Sequence, residues 1–148
     1  MTQEDKELLL TDLCERLPYG VKVTIEYSKG KYTHIYDLKI IDNDTTSELR
    51  QRVTVWNYGF YSSVISYPFT DCRPYLRPMS SMTKEEEKVY KTMSIWGFVR
   101  ESKEGKSDIC PTIEGYRWLN VNHFDYNYLI ERGLALEAPE GMYKIENI

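Results

Sequence analysis

The stretch Leu17-Pro18-Tyr19-Gly20-Val21-Lys22-Val23-Thr24-Ile25-Glu26-Tyr27 is where the apolar period of the chain changes. Before it, Leu10, Leu13, Cys14 and Leu17 recur at i, i+3, i+4 and i+7, one apolar stripe of a helix. Thr2 and Asp5 have the spacing of a capping box at its start, and Pro18 and Gly20 stop it. Cys14 lies in the stripe and is expected to pack, as small buried thiols commonly do. From Val21 the period becomes two: Val21, Val23, Ile25 and Tyr27 alternate with Lys22, Thr24 and Glu26, which reads as a half-buried strand.

Working outward, Ser28-Lys29-Gly30-Lys31 has turn chemistry, and a return strand puts Tyr32, His34, Tyr36, Leu38 and Ile40 on one face. A third strand alternates Leu49, Gln51, Val53 and Val55 with Arg50, Arg52, Thr54 and Trp56. After Asn57-Tyr58-Gly59, the spacing of Tyr61, Ser63, Ile65, Tyr67 and Phe69 predicts a fourth. Four short sequential strands make an antiparallel meander, which can curl into a small barrel. Pro68, Pro74 and Pro78 are expected to break the sheet, leaving Arg73 to Pro78 as an extended connector. Thr83 and Glu86 form a second capping box, followed by Val89, Met93 and Trp96 on one helical face. Arg100 to Asp108 reads as a charged loop. A helix is predicted over Ile113 to Asn122, and Asp125 is placed to cap a short one through Ile130, closed by Gly133. Ala138-Pro139-Glu140-Gly141 is a turn, and Met142 to Ile145 adds a terminal strand. The expected class is α+β: an N-terminal helix, an antiparallel meander of about four strands, then three helices. One domain covers residues 1–148, with the sheet over about 21–70, the connector over 71–82 and the helical part over 83–148.

Composition bounds function before any motif does. The chain has 148 residues, 41% hydrophobic and 28% charged, which excludes a disordered or fibrous class. Its apolar runs are too short to cross a bilayer, and its amino terminus is acidic where an export signal would be basic, so a cytoplasmic protein with no membrane partner is expected. Cys14, Cys72 and Cys110 are widely spaced, unlike a disulfide framework or a CxxC site. The formal charge of −4 hides a split: residues 1–48 carry net −4, residues 49–83 net +3, residues 84–110 none, and residues 111–148 net −3. The basic segment is also rich in aromatics, in a chain with 13 Tyr, 4 Phe and 3 Trp. Arginines that neutralise phosphates and rings that stack on bases are what single-stranded nucleic acid requires. Arg50, Arg52, Arg73 and Arg77, with Trp56, Tyr58, Tyr61 and Tyr75, are therefore the binding candidates. Against them, aromatics favour strands on packing grounds alone, and four arginines on a net acidic chain make a weak field.

Catalytic chemistry has little to stand on. His34 falls between Tyr32 and Tyr36 on the apolar face of the second strand, where a hydrogen-bonded core or semi-exposed histidine is the default. His123-Phe124-Asp125 would let the carboxylate orient an imidazole as general base in a hydrolase, yet no nucleophile motif accompanies it. HExxH, paired Cys/His ligands, an EF-hand loop, a Walker loop and GxGxxG do not occur, so no metal and no cofactor are expected. Glu85-Glu86-Glu87 reads as a solvated helix start.

Three blocks of the chain are similar to other proteins. Arg73 to Thr83, containing PYLRPMSSMT, is one; Trp118 to Tyr143, with HFDY, Leu129-Ile130 and GLALEAPEGMY, is another; Leu8 to Val23 is the third. They resemble small proteins of gut bacteria and their prophages or phages. That resemblance implies a bacterial, phage or mobile-element association, and it carries no activity, cofactor or catalytic residue with it. Taken together, the sequence favours a non-enzymatic binding or accessory protein acting through a protein partner or through self-association. A nucleic-acid-binding module over 49–83 is the alternative, and an enzyme using His123 and Asp125 the least favoured.

Overall fold

A computed structural model describes residues 1–26, 34–43, 51–57, 63–94, 99–101, 107–109 and 111–143. Helix α1 (Gln3–Arg16) starts in a reciprocal capping box: Thr2 Oγ1 accepts from the Asp5 N–H while the Asp5 carboxylate accepts from the Thr2 N–H. A 3₁₀ turn (Leu17–Tyr19) and Gly20, at φ +69°, deliver the chain into β1 (Lys22–Ile25). Strands β2 (Tyr36–Asn43), β3 (Gln51–Asn57) and β4 (Ser63–Pro68) follow in antiparallel order. Strand β5 (Cys72–Pro78) then returns to the other side of β1, pairing Ile25 with Cys72 and Val23 with Pro74. Helices α2 (Lys84–Ser94) and α3 (Ile113–Val121) flank a small hairpin, β6 (Val99–Glu101) and β7 (Ser107–Ile109). Two short strands, β8 (Phe124–Asp125) and β9 (Leu136–Glu137), pair in parallel with β5.

The barrel followed by three helices is thereby corrected. The sheet is mixed, seven-stranded and open, in the order β4-β3-β2-β1-β5-β8 with β9 also on β5. Among the described residues only two helices follow it. The segment read as a connector is a strand at the heart of this sheet. Its prolines do not break it, because each stands where a backbone donor is dispensable. Pro68 and Pro78 close their strands, and Pro74 is the last β5 residue paired to β1 before Tyr75 pairs to β9. The region expected to form a short helix after Asp125 is a run of turns instead. Asp125 does cap it, with both oxygens accepting backbone N–H groups, but Tyr128 at φ +59° leaves the helical region. Of the stretch Arg100 to Asp108, read as a charged loop, Arg100 and Glu101 belong to β6 and Ser107 and Asp108 to β7, which pair antiparallel; residues 102–106 lie outside the described ones. The terminal strand does not begin at Met142, and its remaining residues lie outside the described ones.

Two faces also differ from the periodic reading. On α1 the buried positions are Leu9, Asp12, Leu13 and Arg16, and Cys14 is exposed, because an internal ion pair turns that side of the helix inward. In β2 a register shift between Leu38 and Ile40 leaves Leu38 buried and Ile40 exposed, the flip a bulge produces. His34 is exposed, its ring centre 6.2 Å from that of Tyr36, so of the two expected settings the core one does not apply.

Two apolar clusters hold the chain together. The larger joins Leu9 and Leu13 of α1 to Val21 just before β1, to Val23, Ile25, Val53, Val55 and Leu76 of the sheet and to Leu129 and Leu134 of the late turns. At about 25 cal/mol per Å² of apolar area removed from water, side chains this well buried each contribute roughly 1.5–3 kcal/mol. The smaller is aromatic: Trp118 stacks between Tyr90 at 6.0 Å and Phe124 at 5.6 Å, under Met82, Val89 and Met93. Gly115 lets α3 start here, since a Cβ at that position would meet the Pro111 Cβ at 2.9 Å.

Candidate functional site

Strand β5 alternates strictly enough to sort its side chains. Cys72, Pro74 and Leu76 are buried, while Arg73, Tyr75 and Arg77 lie half-buried on the opposite side of the strand. Three of the binding candidates therefore share one strand face. Arg52 and Trp56 belong to β3, which β2 and β1 separate from β5. Arg50, Tyr58 and Tyr61 lie outside the described residues.

Neither β5 arginine is a spare cation. The Arg73 guanidinium pairs with Glu26 at 2.9 Å and donates to the Thr70 and Cys72 carbonyls at 2.6 and 3.0 Å. Arg77 forks onto Glu86 through two 2.9 Å bonds and lies 4.2 Å above the Phe124 ring. Glu86 also takes part in the capping box of α2: its Oε2 accepts from the Thr83 N–H at 2.9 Å, and its own N–H donates to Thr83 Oγ1 at 3.2 Å. Burial opposes its ionisation, yet the bonds from Arg77 and Thr83 outweigh that and hold the carboxyl below its usual range. Glu86 is buried, so the reading of the Glu85–Glu87 run as solvated holds for its neighbours only. An incoming phosphate at either arginine would first have to displace a carboxylate.

His123 sits just past the end of α3, at φ +59°, and its carbonyl accepts from the Arg77 N–H at 2.8 Å. Its ring stacks on Tyr143 with centroids 3.8 Å apart. Burial first, then the nearby Arg16, Arg77 and Lys22 cations, pushes the imidazole down to about 3. Nδ1 is buried with no hydrogen-bond partner. Asp125 does not turn toward it: Oδ1 and Oδ2 accept from the Leu129 and Ile130 N–H groups, each at 2.9 Å. The pair is present in the fold without the hydrogen bond that a carboxylate-oriented base needs.

Tyr143 also links the sheet to a surface cleft. Its hydroxyl donates to the Tyr75 carbonyl at 2.8 Å and accepts from the Lys22 N–H at 2.9 Å. The cleft, of about 340 Å³, is lined by Arg77, Pro78, Ser81 and Thr83 on one side and by Glu137 to Gly141 and Tyr143 on the other. Parallel pairing of β9 with β5 brings the two sides together, and the Ala138 N–H donates to the Leu76 carbonyl at 2.7 Å. Gly141, at φ +78°, closes the turn in which the Met142 N–H reaches the Pro139 carbonyl. With Arg77 matched by Glu86, the rim carboxylates Glu137 and Glu140 have no ion partner among the described residues, so the free charge of the cleft is negative.

One group escaped the sequence reading altogether. Asp12 and Arg16 are fully buried and joined at 2.8 and 3.1 Å, and Arg16 Nη2 donates to the Phe124 carbonyl at 2.7 Å. Asn127 donates to Asp12 at 3.2 Å, and the guanidinium carbon lies 5.3 Å from the Tyr126 ring centre. The Tyr126 hydroxyl meets Glu15 at 2.7 Å and Asn120 at 3.0 Å. The available signal was an Asp and an Arg at i, i+4, a spacing that sets both on one helix face.

Among the described residues, no three His, Cys, Asp or Glu side chains converge as metal ligands, and no helix is long and apolar enough to cross a membrane. No protein-family model matches the chain, and comparison with curated proteins and with solved structures found no match.

Proposed function

We propose that the chain is a non-enzymatic binding or accessory protein that holds a segment of a protein partner in the cleft between β5 and the turn after β9. The observation that carries this reading is where the cleft's residues come from. Arg77, Pro78, Ser81 and Thr83 lie in the block Arg73–Thr83, and Glu137 to Gly141 with Tyr143 lie in the block Gly133–Tyr143. These are two of the blocks on which the resemblance to small proteins of gut bacteria and phages rests. Distant in sequence, they meet along the β5–β9 pairing and line this cleft together. The lining supports binding over catalysis, since it offers hydroxyls, prolines and two carboxylates and no base paired to a nucleophile. A partner segment presenting a basic side chain matches the rim of Glu137 and Glu140. The cytoplasmic, phage-associated setting belongs to the same proposal and rests on the sequence blocks.

The test fills or inverts the cleft. Ser81→Trp occupies it and Glu140→Arg reverses its rim, both at exposed positions. Proteins retained from host lysate by the wild-type chain should drop about tenfold or more with either variant, as at an interface hot spot. Retention of the same proteins at the same level by both folded variants would count decisively against the cleft.

A further inference from the structure

Strand β5 changes partners along one of its edges. Hydrogen-bonded rungs of an antiparallel ladder recur at every second residue. The Glu26 N–H donates to the Asp71 carbonyl at 2.7 Å, so the register sets the rungs between β1 and β5 at Glu26/Asp71, Thr24/Arg73 and Lys22/Tyr75. Val23 and Pro74 lie between two rungs, where β5 needs no donor toward β1. On the other side of β1 the Leu38 N–H reaches the Val21 carbonyl, which turns the Lys22 N–H away from β2 and toward β5. Two residues further along β5, the Arg77 N–H donates to the His123 carbonyl, where β8 takes over from β1.

At this junction the Lys22/Tyr75 rung runs through a third residue. The Tyr143 hydroxyl accepts from the Lys22 N–H at 2.9 Å and donates to the Tyr75 carbonyl at 2.8 Å, so it stands between a donor and an acceptor that the register sets opposite each other. The chain reaches this point from the far edge of β5. There the Ala138 N–H donates to the carbonyl of Leu76, which lies between rung positions and so faces away from β1. Residues 138–143 therefore cross β5 as a strap tied at both edges of the strand, with Pro139, Glu140 and Gly141 exposed between the ties.

We propose that Tyr143 is a releasable latch: when its hydroxyl withdraws, the Lys22 N–H and the Tyr75 carbonyl close their rung directly and the strap over 138–143 lifts from β5. Opening a sheet ordinarily strands buried backbone groups. Here the donor and the acceptor that lose the hydroxyl are already in register to take each other, and the hydroxyl returns to water. Closing the rung moves only a strand end, because Lys22 is the first residue of β1. The ring of Tyr143 also covers His123, whose buried Nδ1 has no hydrogen-bond partner, so release hydrates a polar atom that the latched form leaves unsatisfied. Two discrete arrangements of one contact are what let a small side-chain movement switch a segment. The strap is one wall of the cleft, so release reshapes that site, but the latch rests on the ladder geometry and its test needs no partner.

Residue-resolved amide exchange of the full chain tests it, each rate being taken relative to that of the same amide unprotected. In the wild type the Ala138 amide should exchange about tenfold or more faster than the Lys22 amide, with a shallow urea dependence, because the strap opens locally while the direct rung keeps Lys22 paired. Tyr143→Phe removes the hydroxyl. In that variant Ala138 should exchange about tenfold or more faster than in the wild type, while Lys22 keeps its protection through Tyr75. A Lys22 amide that exchanges together with Ala138 in the wild type, at whatever urea dependence, would overturn the proposal. So would a Lys22 amide that loses its protection in Tyr143→Phe, or an Ala138 rate that the substitution leaves unchanged. The wild-type comparison decides alone should the variant fold poorly.

Discussion

His123 occupies the position just past the α3 cap, where a left-handed backbone usually selects Gly or Asn. What holds a histidine there is tertiary: the Tyr143 ring on its face and Arg77 bonded to its carbonyl. The imidazole is consequently held neutral, at about 3 against an ordinary 6.5. The sign of the pH effect follows. Below about 6.5 the unfolded chain takes up a proton that the folded chain refuses, so stability falls with pH from there towards about 3, by up to about 1.4 kcal/mol per pH unit. Above that window His123 contributes no slope. His123→Asn suits the backbone and removes the titration, so wild type and variant should diverge between about pH 7 and about pH 5 in urea denaturation, with the wild type losing more. Equal losses in both would show that the imidazole charges freely in the folded protein. Nothing in the sequence around His123 marks it as buried, because the groups that bury it come from β5 and from residue 143.

Helix α1 shows which part of an element a sequence discloses. Its limits were legible, since capping boxes and helix stops are local chemistry read over three or four residues. Its inward face was not, because Leu10, Leu13, Cys14 and Leu17 form a better apolar stripe than the one that is buried. The true face includes Asp12 and Arg16, two charges at zero exposure that the sheet and the 124–127 turn accept only as a pair. Desolvating each costs several kcal/mol, offset by their bidentate contact and by the Phe124 carbonyl. Arg16→Met alone should therefore destabilise by about 3–5 kcal/mol, since Asp12 is left buried and uncompensated. Asp12→Leu combined with Arg16→Met should recover a substantial part of that loss, which chemical denaturation of the single and double variants measures. A double variant that loses the sum of the two singles would mean that the pair is not a coupled unit. In β2 the same limitation recurs in a different form, since a bulge at Leu38/Ile40 reverses an alternation that looked regular.

For the whole molecule, what the sequence left open was which strands meet. The β2–β3–β4 pairings connect neighbours in sequence, and alternation locates them; β5 pairs with β1, β8 and β9, across separations no local pattern encodes. Strands of two residues carry no period at all, and prolines in β5 argued against a strand whose pairing tolerates them. Of the candidate site, Arg73, Tyr75 and Arg77 could be named from the sequence, but the cleft could not, because it exists only once residues 137–143 reach β5. This makes β5 the joint of the molecule. Cys72 and Leu76 face the larger core, while Arg77 reaches Glu86 and Phe124 of the helical side, so opening β5 should open both. Cys72 reports on that directly. It has no exposed surface, and burial pushes its thiol up to about 12, so folded protein presents almost no thiolate to a reagent. In a variant carrying Cys14→Ser and Cys110→Ser, thiol labelling should therefore proceed only through unfolding, with a urea dependence close to the equilibrium m-value. Labelling with a shallow urea dependence would place the opening in β5 alone and separate the two cores that this strand is argued to couple.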